Sequence, residues 1–201
     1  MSLRTASFAI FSTHAIPIIE PRQHQLTSYR RLRSPGASWF FTVNLAERRH
    51  NHLLTDHIDC LRDAFRHVKA AHPFRLDAIV ILPDHLHCIW TLSPNDSDYS
   101  TRWGLIKARF SRGIAKAETR SVSRAKRSER GIWQRRFWEH MIRDDTDYAR
   151  HVDYIHWNPV KHGWTQRVAD WPYSSFHRFV AQGFYPPDWA GSGLDDIEGG
   201  E

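Results

Sequence analysis

Two histidines separated by one residue are the first candidates for chemistry in this sequence. His85 and His87 open a stretch, HLHCIWT, in which apolar and polar residues alternate as in a β-strand. Residues i and i+2 of a strand point to the same face, so both imidazoles could bind one metal ion. Pro83 and Asp84 come directly before them and predict a strand edge that is open to solvent. The alternative is a pair of partly buried histidines in a chain that contains fourteen.

A tyrosine and an asparagine four residues apart form the second candidate. Asp144 can cap a helix that we predict to end at Asn158, because Pro159 discourages continuation. Tyr154 and Asn158 then lie one turn apart on a polar face, where a tyrosine is more than a core residue. This face also carries Asp147, Arg150 and His151, and the apolar face carries Tyr148, Val152 and Ile155. The alternative is a surface tyrosine beside a helix-ending asparagine.

The two candidates together fit metal-assisted cleavage of a phosphodiester. A tyrosine hydroxyl, with a pKa of about 10, is a poor nucleophile at neutral pH unless a base or a metal assists it. A divalent ion held by His85, His87 and the amide oxygen of Asn158 keeps positions open for phosphate and leaving-group oxygens. Oxygen donors favour Mg²⁺ or Mn²⁺, and the imidazoles also tolerate Zn²⁺. Tyr154 is then the predicted nucleophile.

Hydrophobic periodicity predicts the elements that must position these residues. We expect strands at 37–44, 76–82, 85–91 and 132–142, and helices from Asp56 to Ala71, from Tyr99 to about Lys116, and from Asp144 to Asn158. Residues 121–130 read as a surface loop and the chain after Pro159 as irregular. This order predicts an α+β sandwich with helices on one or both faces of a mostly antiparallel sheet.

The charge of the chain points to a polyanionic partner. The 201 residues suit one domain, and they carry a formal charge of +6 with a pI of about 9.6. Between residues 102 and 136 the chain has twelve basic residues and only two acidic ones, Glu118 and Glu129. A polyanion would relieve the repulsion among so many like charges. The candidate nucleic-acid contacts are Arg109, Arg112, Arg124 and Arg127 of this segment, with Lys161 beside the tyrosine motif.

The same composition argues against a membrane protein and a disulfide-rich one. No stretch approaches the roughly 18 consecutive apolar residues of a membrane span. Only Cys60 and Cys88 are present, so we expect no disulfide framework and a reducing cytoplasmic location.

Two motifs resemble those of a known family. Residues 82–90 (LPDHLHCIW) and 154–163 (YIHWNPVKHG) are similar to motifs of the REP-associated tyrosine transposases, relatives of the single-tyrosine HUH insertion-sequence transposases. The similarity extends from about residue 26 to residue 179. Shorter motifs lie in the expected order: YRRLR with PG before the first strand, FFTVN within it, then IWQR and WPYSS.

The resemblance implies a fold, a reaction and a substrate. The fold would be the ferredoxin-like sandwich of HUH endonucleases, spanning residues 26–182. Tyr154 would form a 5′-phosphotyrosine and leave a free 3′-OH. His85, His87 and Asn158 match the metal-ligand positions, although the insertion-sequence relatives usually have glutamine at the last. The substrate would be repetitive palindromes, folded as single-strand hairpins beside a short tetranucleotide.

The two ends of the chain have no counterpart in that family pattern. Residues 1–25 read as an arm or tail, and residues 183–201 as an acidic C-terminal tail. Between the arm and the first strand, a short basic run has the chemistry to recognise a tetranucleotide, because arginine reads guanine edges and tyrosine stacks on bases. It consists of Tyr29, Arg30, Arg31 and Arg33. A solvated basic lead-in that contacts only the backbone is the alternative.

Three other functions stay open at this point. The chain could bind hairpins without turnover, although retention of His85, His87, Tyr154 and Asn158 argues against a decayed enzyme. A histidine-triad phosphohydrolase would need a third alternate histidine where position 89 is isoleucine. A basic RNA-binding module is the third, because charge does not distinguish RNA from DNA. Whether the protein is a monomer or a homodimer is also open.

Overall fold

The computed structural model describes residues 32–116, 122–126 and 129–191. Its strands are β1 (Ser38–Asn44), β2 (Phe74–Ile81), β3 (His85–Leu92) and β4 (Trp138–Met141). Its α-helices are α1 (Leu53–Asp56), α2 (Ile58–Ala71), α3 (Tyr99–Gly113), α4 (Val122–Lys126), α5 (Asp145–Lys161) and α6 (Phe176–Ala181), with a 3₁₀ turn at Val168–Asp170. Contacts place the residues from Arg33 onward in one unit.

The four strands form one antiparallel sheet in the order β2-β3-β1-β4. With α2 joining β1 to β2, and α3 joining β3 to β4, the chain follows the βαββαβ path of a ferredoxin-like sandwich. The α+β fold class predicted from the sequence is therefore confirmed. The register places Thr42 opposite His87 and Asn44 opposite His85, so β1 and β3 contribute to the same patch.

Alternation along β1 divides the interior into two cores. Trp39, Phe41 and Val43 face α2 and α3, whereas Phe40 belongs to a smaller cluster with α5. The first core is rich in tryptophan: Trp90 stacks on Trp103 with ring centroids 4.4 Å apart. Each such side chain contributes roughly 2–3 kcal/mol by leaving water. The first core thus supports one face of the sheet, and α5 packs on the other.

Several predicted boundaries were wrong. Asp56 ends the short helix α1 rather than capping α2. The strand predicted over residues 132–142 is confined to Trp138–Met141, because Trp133 packs in the core and bridges to Leu45 while the following residues, 134–136, are exposed. Part of the predicted loop 121–130 forms α4.

Helix α5 begins as predicted but ends later. The side chain of Asp144 accepts a hydrogen bond from Asp147 N at 2.8 Å and caps the helix. The helix then continues through Pro159 to Lys161, although we predicted its end at Asn158. Its last turn is closed by Gly163, whose φ is +70°.

The closing bonds show how the helix ends after this proline. Gly163 N donates to Val160 O, and Trp164 N donates to Pro159 O, each at 2.9 Å. This is a Schellman ending, in which the carbonyl of Pro159 has a partner although its nitrogen has no hydrogen to donate. The extra turn positions Lys161 and His162.

Residues 183–191, from the segment assigned to a tail, are also described. Within them, Tyr185 and Trp189 pack against Phe176 of α6. Cys60 and Cys88 are free thiols, as two cysteines led us to expect. In the part of the chain that the structure describes, no helix is long and apolar enough to cross a membrane.

Candidate active site

His85 and His87 lie together on the α5 side of the sheet. Their ring centroids are 5.0 Å apart and their planes are nearly perpendicular, which confirms that they share a face. The predicted solvent-open edge was wrong: β3 runs between β2 and β1, and both side chains are almost fully buried, at 1% and 0% exposure. A central strand holds them more rigidly than an edge strand would.

Asp84 orients the first histidine. Its Oδ1 lies 2.7 Å from His85 Nδ1, and Arg48 Nε donates to its Oδ2 at 2.7 Å. Burial alone would raise the pKa of Asp84, but the hydrogen bonds from His85 and Arg48 outweigh burial and lower the pKa to about 2. With Nδ1 directed at this carboxylate, His85 Nε2 is buried and has no hydrogen-bond partner among the described residues.

The second histidine is oriented by the neighbouring strand. Thr42 lies opposite His87 in the β1–β3 register, and its hydroxyl oxygen is 2.9 Å from His87 Nδ1. Nδ1 of each imidazole therefore contacts an orienting side chain, and Nε2 is the nitrogen each ring would present to an ion. Burial lowers the pKa of His85, although the hydrogen bond with Asp84 opposes this effect. The lowered pKa favours the neutral imidazole, the form that binds a metal ion.

Tyr154 packs directly against this pair. It is 1% exposed, and its ring centroid is 5.3 Å from that of His87 and 6.0 Å from that of Phe40. Asn158, one turn further along α5, is fully buried. The face that looked polar in the sequence is thus turned toward the sheet. Periodicity did not reveal this orientation because Val152 and Ile155, on the apolar face, are buried as well.

Lys161, predicted as a DNA contact, lies at the tyrosine. Its Nζ is 3.3 Å from the Tyr154 hydroxyl oxygen and 4.8 Å from the ring centroid. The ammonium group donates to that oxygen and would stabilise negative charge formed on it. Any phosphate that approaches Tyr154 would also meet this cation.

His162 is a site residue that sequence reasoning missed. Its ring centroid is 5.2 Å from that of His85. It follows Asn158 by four residues and Tyr154 by eight. This helical spacing could have predicted that the three side chains share a face. The prediction that α5 ends at Asn158 concealed it.

Another group of possible ligands lies one turn toward the start of α5. Ligand atoms of His140, Asp147 and His151 all lie within 4.8 Å of one another. Asp147 Oδ2 is 2.8 Å from His140 Nε2 and accepts hydrogen bonds from the backbone and side chain of Arg143. Burial alone would raise the pKa of Asp147, but these bonds outweigh it and lower the pKa to about 2. His151 Nδ1 lies 2.8 Å from the backbone carbonyl oxygen of Asp147 and 3.1 Å from its carboxylate.

Some arginines of the basic segment already bond to other groups of the protein. Arg109 Nε donates to Asp63 Oδ2 at 3.0 Å, and Arg124 Nη1 to the carbonyl of Trp133 at 3.2 Å. Arg112 lines an open cavity together with Arg124. Of the short basic run before β1, Arg33 is described. Hydrogen bonds from Thr101 lower the pKa of Asp98, and the nearby charge of Arg33 adds to this effect. Outside the described residues lie Tyr29, Arg30, Arg31 and Arg127.

The donor set fits a divalent metal ion. Two buried imidazoles, each directed through Nδ1 by a neighbouring side chain, and a buried amide are what an ion with open positions requires. The partnerless Nε2 of His85 is costly to bury unless an ion or a ligand reaches it.

Comparison with known proteins identifies the family of this chain. Residues 39–158 match the family model of the IS200-like transposases. The chain is 49% identical over 176 residues to a REP-associated tyrosine transposase of Escherichia coli (strain K12), covering 88% of this chain and 98% of that one. A putative REP-associated tyrosine transposase of Haemophilus influenzae is 48% identical over 83% of this chain and 95% of its own length.

A solved structure shows the same relationship. It is that of a REP-associated tyrosine transposase bound to a REP hairpin, 48% identical to this chain, with a TM-score of 0.75 over 88% of this chain and 98% of the other. The chain therefore belongs to the IS200-like transposases and, within them, to the REP-associated tyrosine transposases, which makes it an enzyme of the DNA transposase type.

Proposed function

We propose that this protein cleaves and rejoins single-stranded DNA at repetitive palindromic hairpins through a covalent bond to Tyr154. The observation that carries the proposal is the position of the tyrosine hydroxyl, 3.3 Å from Lys161 Nζ, on a ring packed against His87. A buried tyrosine in an ordinary core would not need a cation and two histidines around it.

The proposed reaction is an exchange of one phosphoester for another. The Tyr154 hydroxyl loses its proton to solvent, its oxygen attacks the phosphorus, and the bond from phosphorus to the 3′ oxygen breaks. The electron pair of that bond leaves on the 3′ oxygen, which takes up a proton from water. The products are a 5′-phosphotyrosine and a free 3′-OH. Rejoining is the reverse attack by a 3′-OH. Lys161 stabilises charge on the tyrosine oxygen, and the sheet beneath Phe40 and His87 holds the ring in place.

We propose Mg²⁺ or Mn²⁺ as the cofactor, held by His85, His87 and Asn158. When bound, it would neutralise charge on the phosphate and on the departing oxygen. Asp84 and Thr42 direct the two imidazoles, and His162 adds a further ring beside His85.

The proposed partner is a single-strand hairpin with an adjacent tetranucleotide. The solved relative binds a REP hairpin, and the high net charge of this chain favours a polyanion. We propose that Tyr29, Arg30, Arg31 and Arg33 read the tetranucleotide, in the cytoplasm near the nucleoid. Replacing the three arginines by alanine should reduce discrimination against a scrambled tetranucleotide, each lost base contact costing about 1–3 kcal/mol. Equal loss of affinity for both oligonucleotides would limit this basic run to backbone contacts.

The proposal is tested by trapping the covalent intermediate. The full chain is incubated with a 5′- or 3′-labelled REP-like hairpin and Mn²⁺, and the adduct is separated in denaturing gels and mapped by peptide mass spectrometry. We expect adduct with only the 3′-labelled DNA, on the peptide that contains Tyr154. Tight hairpin binding without adduct under any divalent ion would instead favour a hairpin-binding protein without turnover.

A further inference from the structure

A cavity of about 420 Å³ lies between α2 and the edge strand β2, apart from the candidate active site. Its floor is apolar and includes Leu76 and Ile79, which are only half-buried although they belong to a strand. Its wall is the segment 172–175. This segment is tied to β2 because Ile81 N donates to Tyr173 O at 2.9 Å and Ser175 N to Ile79 O at 2.8 Å. The cavity is therefore built into the fold.

The rim of the cavity is cationic. Arg62, Arg66 and Lys69 of α2 lie on its edge, with Arg178 of α6 among the other lining residues, and no carboxylate belongs to the described lining. The three α2 residues are spaced i, i+4, i+7, so they form one exposed stripe of about 10 Å along the helix. Arg62 has an exposed acid partner, Asp59, at 3.2 Å. An apolar ligand would not account for this concentration of charge.

Tyr173 supplies a flat surface at the same place. Its ring is half-buried in the cavity wall, and the Arg62 guanidinium carbon lies 6.0 Å from its centroid. Aromatic rings and guanidinium groups are the surfaces on which proteins stack unpaired bases. An apolar floor, an aromatic ring and a row of cations together match a ligand that is flat at one end and anionic at the other.

We propose that this cavity binds an unpaired nucleotide of the DNA substrate, with the base on Tyr173 and the apolar floor and the flanking phosphates on Arg66 and Lys69. This inference rests on the proposed function, since it takes single-stranded DNA as the substrate. Tyr154 packs on the other face of the sheet, in the cluster with Phe40. The cavity therefore anchors the strand away from the reacting phosphate and leaves the chemistry to α5.

Photocrosslinking tests the position of the base. Tyr154→Phe protein is mixed with REP-like hairpin oligonucleotides that each carry one 5-iododeoxyuridine in an unpaired position, irradiated, and mapped by peptide mass spectrometry. We expect one labelled position to crosslink to Tyr173, and Tyr173→Leu to lose that crosslink and at least about fivefold in affinity. Crosslinks confined to other peptides would overturn this inference alone. Absence of any hairpin binding would overturn the proposed function as well.

Charge substitution tests the phosphate contacts. Arg66→Ala with Lys69→Ala should weaken hairpin binding at least tenfold and reduce the log–log salt slope by roughly 1.4, at roughly 0.7 for each single-strand phosphate contact. The matched control removes two other exposed arginines outside both the cavity and the basic segment, Arg49 and Arg167. Covalent adduct at saturating DNA should be unchanged in both double variants. Equal salt slopes in the two double variants would contradict the proposal.

Discussion

Lys161 Nζ lies 3.3 Å from the hydroxyl oxygen of Tyr154, two turns away on the same helix. The contact exists only because α5 continues through Pro159, since a helix that ended at Asn158 would release Lys161 into a turn. We therefore propose that Lys161 stabilises charge at the nucleophile, and its contact to DNA stays a prediction.

Replacing Lys161 should slow the formation of the adduct. We expect Lys161→Met to reduce the single-turnover rate with a pre-bound hairpin by about 100- to 1000-fold, because a positioned donor next to a reacting oxygen has effects of this order. Lys161→Arg should restore most of the rate, and hairpin affinity should change by less than a few-fold in both variants. A rate unchanged in Lys161→Met would remove Lys161 from the reaction.

Tyr154→Phe should abolish both the covalent adduct and strand cleavage. The substitution removes one oxygen from a buried ring and keeps its packing on His87 and Phe40, so hairpin affinity should stay within a few-fold of the wild type. The matched control is Tyr148→Phe, because Tyr148 is on the same helix but only half-buried. Adduct that persists in Tyr154→Phe and disappears in Tyr148→Phe would move the nucleophile to Tyr148.

Two clusters compete for the role of metal site, and substitution separates them. His85→Ala or His87→Ala should eliminate Mn²⁺ binding, measured by calorimetry on the free protein, together with cleavage, while hairpin binding remains. His140→Ala should leave Mn²⁺ binding within about threefold, because Asp147 in that cluster is already engaged by Arg143 and His151. The opposite pattern would transfer the ion to the cluster of His140, Asp147 and His151. Full cleavage in excess chelator would contradict metal dependence altogether.

Two arginines of the basic segment should differ in their contribution to DNA binding. Arg112→Ala should reduce the log–log salt slope of single-strand binding by roughly 0.7, the value for one lost phosphate contact. Arg109→Ala should change the slope less, because its guanidinium is bonded to Asp63. Removing both together with Arg124 and Arg127 should weaken binding to all single strands alike. An unchanged slope in the fourfold variant would mean that this segment faces away from the nucleic acid.

Asp147 should make stability depend on pH in the acid range. Its pKa is lowered to about 2 in the folded protein, and an unfolded aspartate titrates near 3.9. The stabilisation is therefore fully present above about pH 5 and is lost as the pH falls toward 2. Asp147→Asn should lower the free energy of unfolding by about 2 kcal/mol at pH 7 and flatten the acid limb of the stability curve.

Denaturant unfolding between pH 7 and pH 3 measures this effect. Asp145→Asn is the matched control, because Asp145 is exposed in the same first turn of α5 and removes an equal charge from the helix start. Parallel pH curves for the two variants would show that the bonds of Asp147 to His140 and Arg143 do not supply the stabilisation.

The sequence by itself determined the order of the main elements and the pairing of the two histidines. Alternation in β3 is a local property of the strand, so the shared face of His85 and His87 follows from spacing two residues apart. The cap at Asp144 and the spacing of Tyr154 and Asn158 are local in the same way. Local rules of this kind, together with the ordered motifs, were sufficient for the α+β class and for the residues proposed to react.

Only the tertiary structure decided which way those residues face and what lies beside them. The position of β3 inside the sheet, which buries both histidines, depends on pairing with β1 and β2 and not on the residues of β3 alone. Both faces of α5 carry buried residues, so hydrophobic periodicity cannot predict which face packs on the sheet. The turn beyond Pro159 depends on hydrogen bonds that Gly163 N and Trp164 N donate to the carbonyls of Val160 and Pro159. This turn is the reason that Lys161 and His162 reach the site.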